Sequence, residues 1–434
     1  MPGRNSPSWA GRWGRSRLWR GLTILSVLMW TGCGTAPPAL LPPPASLPAG
    51  LTVVDWQAAQ EQFSARYGRP ADASDTWSWL AEQAIAEQQR DQARFCFAQI
   101  PTSHPEYGML ARYQQGRLAL HQDLAGEAEQ QLNEFLRESR TRPPADPRLL
   151  RDARQRLRYL LEIELRFEER AQWLATYADD PDAEPFEVLA ACFPSLLRWN
   201  GPEAAATLTR WYEKNPQQLE LAVALTRYLT GQGQLDDAAA RIHPWLKSHP
   251  ESLSVQAANL AIAAEANRWE EVRERLKPLP PYTDSEPWLL TRIRVAAALQ
   301  AGEAQQALEL ANAGLKQDRT SAELELLRGR AAGQVRDSSQ KTAALHRAAE
   351  LSRIQGRLGW ALNRPDDPAP IAEIGRICAE LNLDLEQQRM EQLRARLEQT
   401  SGSATGTPSP AAAAANGDTP KSAASGPQKV EAKP

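Results

Sequence analysis

Three prolines impose the tightest constraint on this chain. Pro216 and Pro250 lie 34 residues apart, and Pro181 precedes Pro216 by 35. Each closes an apolar segment, and glycines and prolines cut the intervening sequence into runs of about 12–16 residues. Within the runs, apolar residues recur at three- and four-residue spacing, and alternating strand-like stretches are scarce. Short helices joined by brief turns must lie antiparallel to their neighbours, so the spacing predicts helical hairpins repeated across residues 51–399. The stretch from Leu219 to Ser252 displays the unit: a helix LAVALTRYLT, the turn Gly231-Gln232-Gly233, then a helix DDAAARIHPWLKSH that reaches Pro250.

Residues 74–107 carry the fullest motif. Trp77, Leu80 and Ala81 stand in a W-x₂-L-G arrangement, Ala84 takes the place of the following tyrosine, Ala93 and Phe97 give A-x₃-F, and Pro105 closes the unit. This resembles the tetratricopeptide repeat family, in which small residues let paired helices approach and large ones fill the gaps. The resemblance implies an all-α fold of antiparallel helix-hairpin repeats stacked into a superhelical solenoid. About eight degenerate units are expected over 74–354, starting near 74, 108, 150, 185, 219, 253, 287 and 321. Ala128 and Leu132 serve the second unit; Ala204, Leu208, Trp211 and Pro216 serve the fourth, with Pro202 in a first helical turn. The motif's glycine is replaced by Cys192, Thr226, Leu260 and Arg294 in other units. An unrelated array of helical hairpins is the alternative.

Arrays need ends that shed their apolar faces. Residues 51–73 are expected to hold a cap helix, with Asp55 as N-cap and Tyr67 before Gly68. Residues 355–399 are expected to hold two closing helices, the second starting at Asp384. Residues 400–434 contain almost no large apolar side chain and are expected to stay unfolded.

The first 32 residues carry Arg4, Arg12, Arg15, Arg17 and Arg20 and no acid, then an apolar run GLTILSVLMWTG that ends at Cys33. The run fits a signal peptide and is short for a membrane span. Trp30-Thr31-Gly32-Cys33 resembles the bacterial lipobox, with tryptophan where leucine is usual. That resemblance implies cleavage after residue 32, acylation of Cys33 and a membrane-anchored protein facing the periplasm. An uncleaved membrane anchor and a cytoplasmic start are the alternatives. Residues 33–50 are rich in proline and read as a semi-rigid tether.

Setting aside the five leader arginines, 45 of the 50 basic residues face 53 acidic ones, a formal −8. A mildly acidic body is a poor match for a general nucleic-acid binder, so none is expected as partner. Cys96, Cys192 and Cys378 are widely spaced and no C-x-x-C occurs. The five histidines form no metal-ligand spacing, and no catalytic or phosphate-binding signature appears. The expectation is a protein without catalysis, cofactor, metal or small-molecule substrate.

In the resembled family, positions 2, 5, 9 and 12 of each first helix line a concave groove. Carried over, these positions give Arg112; Arg151, Arg154, Arg158 and Leu161; Phe186, Leu189, Phe193 and Leu196; then Arg227 and Trp288. An arginine stripe beside aromatic rings suits an acidic, partly apolar peptide. The competing reading pairs the arginines with acids on adjacent helices and places the phenylalanines in core. The implied function is an envelope scaffold that binds proteins. A structural or assembly part of a secretion, polysaccharide-export or cell-wall machine is the second option, and a helical enzyme the third.

Overall fold

The computed structural model describes residues 51–404, apart from 145 and 198–201, so the leader, Cys33, the tether to residue 50 and the tail beyond 404 lie outside the described residues. The described residues form nineteen α-helices and no strand. The cap helix α1 (Val53–Tyr67) starts three residues earlier than Asp55 as N-cap would place it. Thr52 is its N-cap, and Asp55 sits at the third helical position, where its carboxylate accepts a hydrogen bond from the Thr52 backbone N–H.

Seven helical hairpins follow the repeat spacing, and an eighth closes the chain. The helix α2 (Ala73–Ala86) pairs with α3 (Arg90–Ala98), α4 (Gly108–His121) with α5 (Ala125–Ser139), and α6 (Arg148–Ile163) with α7 (Phe167–Ala175). Beyond an interruption formed by α8 (Pro185–Cys192) and α9 (Pro202–Lys214), α10 (Leu219–Gly231) pairs with α11 (Leu235–Ser248) and α12 (Leu253–Glu265) with α13 (Trp269–Leu276). Then α14 (Trp288–Ala301) pairs with α15 (Ala304–Gln317), α16 (Ala322–Gln334) with α17 (Ser338–Asn363), and α18 (Pro368–Glu380) with α19 (Asp384–Ala404).

Each of these eight hairpins turns through one residue of positive φ: Gln88, Asp123, Leu165, Gly233, Asn267, Gly302, Arg336 and Asn382. The residue after it donates its N–H to a carbonyl five positions back, as in Gln89 to Ala84 at 2.8 Å and Leu383 to Cys378 at 2.9 Å. This is the Schellman closure, which satisfies a carbonyl left open at the first helix's end while starting the second helix.

Side chains at the motif positions fill the gaps between helices. Trp77, Leu80, Ala81, Ala84, Ala93 and Phe97 are all buried in one cluster with Trp56 of the cap helix. Ala128, Ala204, Leu208 and Trp211 share another. Complete burial of a side chain such as Phe97 contributes about 1.5–3 kcal/mol.

The fourth unit does not form a hairpin. The helix α9 packs between α6 and α10 and keeps the stack continuous, whereas α8 leaves it to pack on α7, α17 and α19. Val188, Leu189 and Cys192 of α8, with Phe193 and Leu196 just beyond it, share a core with Leu351, Ile354 and Leu358 of α17 and Ile374 and Ile377 of α18. Polar ties reinforce the docking: Ser195 Oγ donates to the Thr320 carbonyl at 3.2 Å, and Arg396 Nη1 to the Pro181 carbonyl at 3.0 Å. The middle of the array is thereby joined to its C-terminal end.

At that end, α17 runs unbroken through residue 354, where the sequence suggested the repeats stop, and α19 continues through Ala404 into the expected tail. Among the described residues, no helix is long and apolar enough to cross a membrane.

Candidate binding site

The helix α6 is the most strongly two-faced element of the array. Ala153, Leu157, Leu160 and Leu161 bury one face, which leaves Arg151, Arg154 and Arg158, at three- and four-residue spacing, on the other. They meet the segment that links α7 to α8. Arg154 Nη2 lies 3.0 Å from Asp180 Oδ2, and its guanidinium sits 4.2 Å from the Tyr177 ring centre. Arg158 stacks 4.1 Å over Phe186 and reaches to 3.9 Å from Glu184 Oε2. Arg151 Nε is 4.0 Å from Glu184 Oε1, to which Gln155 Nε2 donates at 2.7 Å.

Glu184 is placed by local chemistry. It precedes Pro185 at the first position of α8, where proline's missing N–H costs nothing, and it forms a reciprocal capping box with Glu187. The acids Asp179, Asp180, Asp182, Glu184 and Glu187 are thus concentrated in nine residues opposite the arginines. Of the three arginines, Arg154 alone is hydrogen-bonded to a carboxylate, while Arg151 and Arg158 reach Glu184 only at the edge of ion-pair range. Arg154 and Arg158 gain further from stacking on Tyr177 and Phe186. The arginine stripe therefore engages an acidic, aromatic segment, and that segment belongs to the same chain.

The remaining groove residues of the sequence reading are dispersed. Arg112 pairs with Glu134 and Glu138 on α5, its own hairpin partner. Phe193 is 0% exposed, inside the core that docks α8 onto the C-terminal helices, and so offers nothing to a partner on a groove surface. Trp288 is also buried, and its backbone N–H donates to Glu168 Oε1 at 3.2 Å. Arg227 Nη1 donates at 2.9 Å to the Leu165 carbonyl, at the α6/α7 turn. Of the eight arginine and aromatic candidates, Arg151, Arg154, Arg158 and Phe186 come together, while Arg227 and Trp288 meet the neighbouring turn.

Asp179, Asp180, Glu184, Arg389 and Arg396 were missed. The run ADDPDAEPFE, beside an arginine-rich helix, is the signal that points to the acids. Nothing local marks the arginines of α19.

Burial also shapes the titratable groups. It pushes the Cys96, Cys192 and Cys378 thiols up to about 12, so these free cysteines stay protonated. The hydrogen bonds from Arg389 hold the Asp179 carboxyl below its ordinary value. Among the described residues, no three His, Cys, Asp or Glu side chains converge as metal ligands.

No protein-family model matches this chain, and no curated protein matches it. Similar solved structures are helical arrays at low identity. The human IFIT1 dimer with m7Gppp-AAAA is 11% identical with a TM-score of 0.30, over 80% of this chain and 73% of that one. Cut9 in the APC/C Cut9-Hcn1 hetero-tetramer is 11% identical with a TM-score of 0.27, over 79% and 91%. The assembly chaperone of RpL4, Acl4, is 16% identical with a TM-score of 0.26, over 63% and 98%.

Proposed function

We propose that this chain is a protein-binding scaffold of the bacterial cell envelope, anchored by acylation of Cys33 and facing the periplasm, that recognises acidic, partly apolar peptide segments through Arg151, Arg154 and Arg158. The observation that supports the recognition is the contact of these arginines with Asp180, Glu184 and Phe186. The chemistry suited to such a partner is already exercised on the chain's own segment. A partner segment of the same kind competes for the same guanidinium groups. The anchor is supported by the lipobox-like Trp30-Thr31-Gly32-Cys33 alone.

Capture from solubilised envelope tests the recognition. An Asp180→Asn/Glu184→Gln variant frees the arginines and is expected to capture more acidic partner than the native chain. Reversal of Arg151, Arg154 and Arg158 to glutamate is expected to lose that capture. An identical set of proteins from all three removes the arginine face as the binding site. For the anchor, labelled fatty acid is expected to enter the native chain and not Cys33→Ala; equal labelling rejects it.

The docking of α8 onto α17 and α19 favours a second reading. An array tied across its own span holds a fixed shape, which suits a structural part of a larger envelope assembly.

A further inference from the structure

The arginine stripe of α6 extends beyond its occupied half. Arg148, Arg151, Arg154 and Arg158 follow one another at three- and four-residue spacing, and the chain's own acidic segment engages chiefly the last two. The helices α5 and α6 pack together, and the short loop from Ser139 to Arg148 brings Arg137 and Arg140 to the same end of the pair as Arg148. Residues 137–151 hold five arginines and only two acids, in a body that is acidic overall.

Both acids and one of the arginines are engaged within the fold. Glu138 turns to Arg112 at 3.8 Å, Asp146 Oδ1 accepts the Arg148 backbone N–H at 2.9 Å, and Arg142 Nη2 donates to the His104 carbonyl at 2.7 Å. The side chains of Arg137, Arg140 and Arg148 are exposed and form no ion pair or hydrogen bond among the described residues. Arg151 keeps its side chain 59% exposed, with Glu184 at 4.0 Å. Arg148 and Arg151 also stand in the first turn of α6, which holds no acid, so the helix dipole adds to their positive potential.

The open arginines are continuous with the occupied ones. The Arg140 guanidinium lies 5.7 Å from the centre of the Tyr177 ring, the same ring that Arg154 approaches to 4.2 Å. Three residues beyond that ring, Asp180 meets Arg154. An acidic chain on the occupied half therefore has free guanidinium groups beside it, whose planar forks match carboxylate geometry.

We propose that this edge, formed by Arg137, Arg140, Arg148 and Arg151, receives an acidic segment of a protein partner that lies beside the chain's own segment and leaves it in place. Continuity argues for this occupant, because the ligand that the adjoining arginines already hold is an acidic peptide, residues 178–187. The inference rests on the reading of the chain as a scaffold for acidic segments. It places the first contact on arginines that are open in the folded chain.

The test uses the full chain and a fluorescent, end-blocked peptide copying residues 178–187, ADDPDAEPFE, with a neutral control that carries Asn and Gln for its acids. Saturable binding of the acidic peptide alone is expected. Arg137→Gln/Arg140→Gln/Arg148→Gln is expected to weaken it at least about tenfold. Arg330→Gln/Arg336→Gln/Lys341→Gln removes three exposed cations elsewhere and is expected to leave it unchanged. Equal binding of both peptides, or an equal loss in these two variants, overturns the proposal. Arg154→Gln/Arg158→Gln separates the two halves of the stripe. Binding lost there and kept in the edge variant overturns the edge and leaves the occupied half as the partner site. The reverse upholds the edge and removes the occupied half. An oligonucleotide of equal charge or phosphatidylglycerol vesicles, bound more tightly than the peptide and released by the same three edge substitutions, assign the edge to phosphates and overturn the acidic segment.

Discussion

Arg389 on α19 grips Asp179, 210 positions earlier, with Nε at 2.9 Å and Nη2 at 3.0 Å from its two carboxylate oxygens. The pair spans the junction between the middle of the array and its C-terminal end. Arg389 is nearly buried, but Asp179 is two-thirds exposed, so solvent screens the attraction. A double-mutant cycle with Asp179→Asn and Arg389→Gln, read by urea unfolding, is expected to give a coupling of about 1 kcal/mol at neutral pH. The Asp179 acid is lowered by its bonds to Arg389, so this stability is fully present above the ordinary value of 3.8. It is lost as pH falls through the lowered one. Coupling that persists in strong acid contradicts the ion pair.

Phe193 carries the apolar part of the same junction. Truncation to alanine leaves a cavity among α8, α17 and α18 and is expected to cost about 3–5 kcal/mol. The loss should be regional. Amide exchange is expected to accelerate in α17 to α19, while α2 to α5, which share no core with Phe193, keep their protection. Uniform acceleration along the chain disagrees with a docked segment.

How the chain announces this arrangement differs from element to element. Trp77, Leu80, Ala93 and Phe97 were legible because tight packing of paired helices demands particular sizes at particular spacings, and all four are buried. The segment PFEVLAAC was legible as an apolar helix, but periodicity records that a face is buried and not which surface buries it. Its partner, α17 to α19, lies far along the chain, and no local pattern encodes that distance. The end of α17 was hidden for a different reason: Gly356 and Gly359 look like breaks, yet α17 passes through both. At the arginine face, the stripe was visible in α6 because helical spacing fixes it. Its occupant was visible only as an acidic run.

The hairpin turns were likewise hard to read, because six of the eight left-handed residues are not glycine. Arg336 is one, at φ 62° between α16 and α17, with an exposed side chain. A left-handed conformation costs an L-residue about 1–2 kcal/mol, and glycine returns roughly 0.5–1 of that through its freer unfolded state. Arg336→Gly is therefore expected to stabilise the chain by about 0.5–1 kcal/mol, seen as a raised thermal midpoint. A lowered midpoint contradicts the strain at this turn.

Glu164 should impress a pH dependence on the free protein. Burial raises its folded acid to about 8 from the ordinary 4.5, so between those values the folded state holds a proton that the unfolded state has released. Folding is then favoured toward the acid side of this window, and stability falls as pH rises through it. Asp179 acts in the opposite direction and outside it, below 3.8. Glu164→Gln keeps the shape of the neutral acid and cannot ionise. Urea unfolding from pH 5 to pH 8 is expected to show declining stability for the native chain and a flatter profile for the variant. The difference between them should be greatest at the alkaline end. Parallel profiles contradict a protonated Glu164 at the α6/α7 turn.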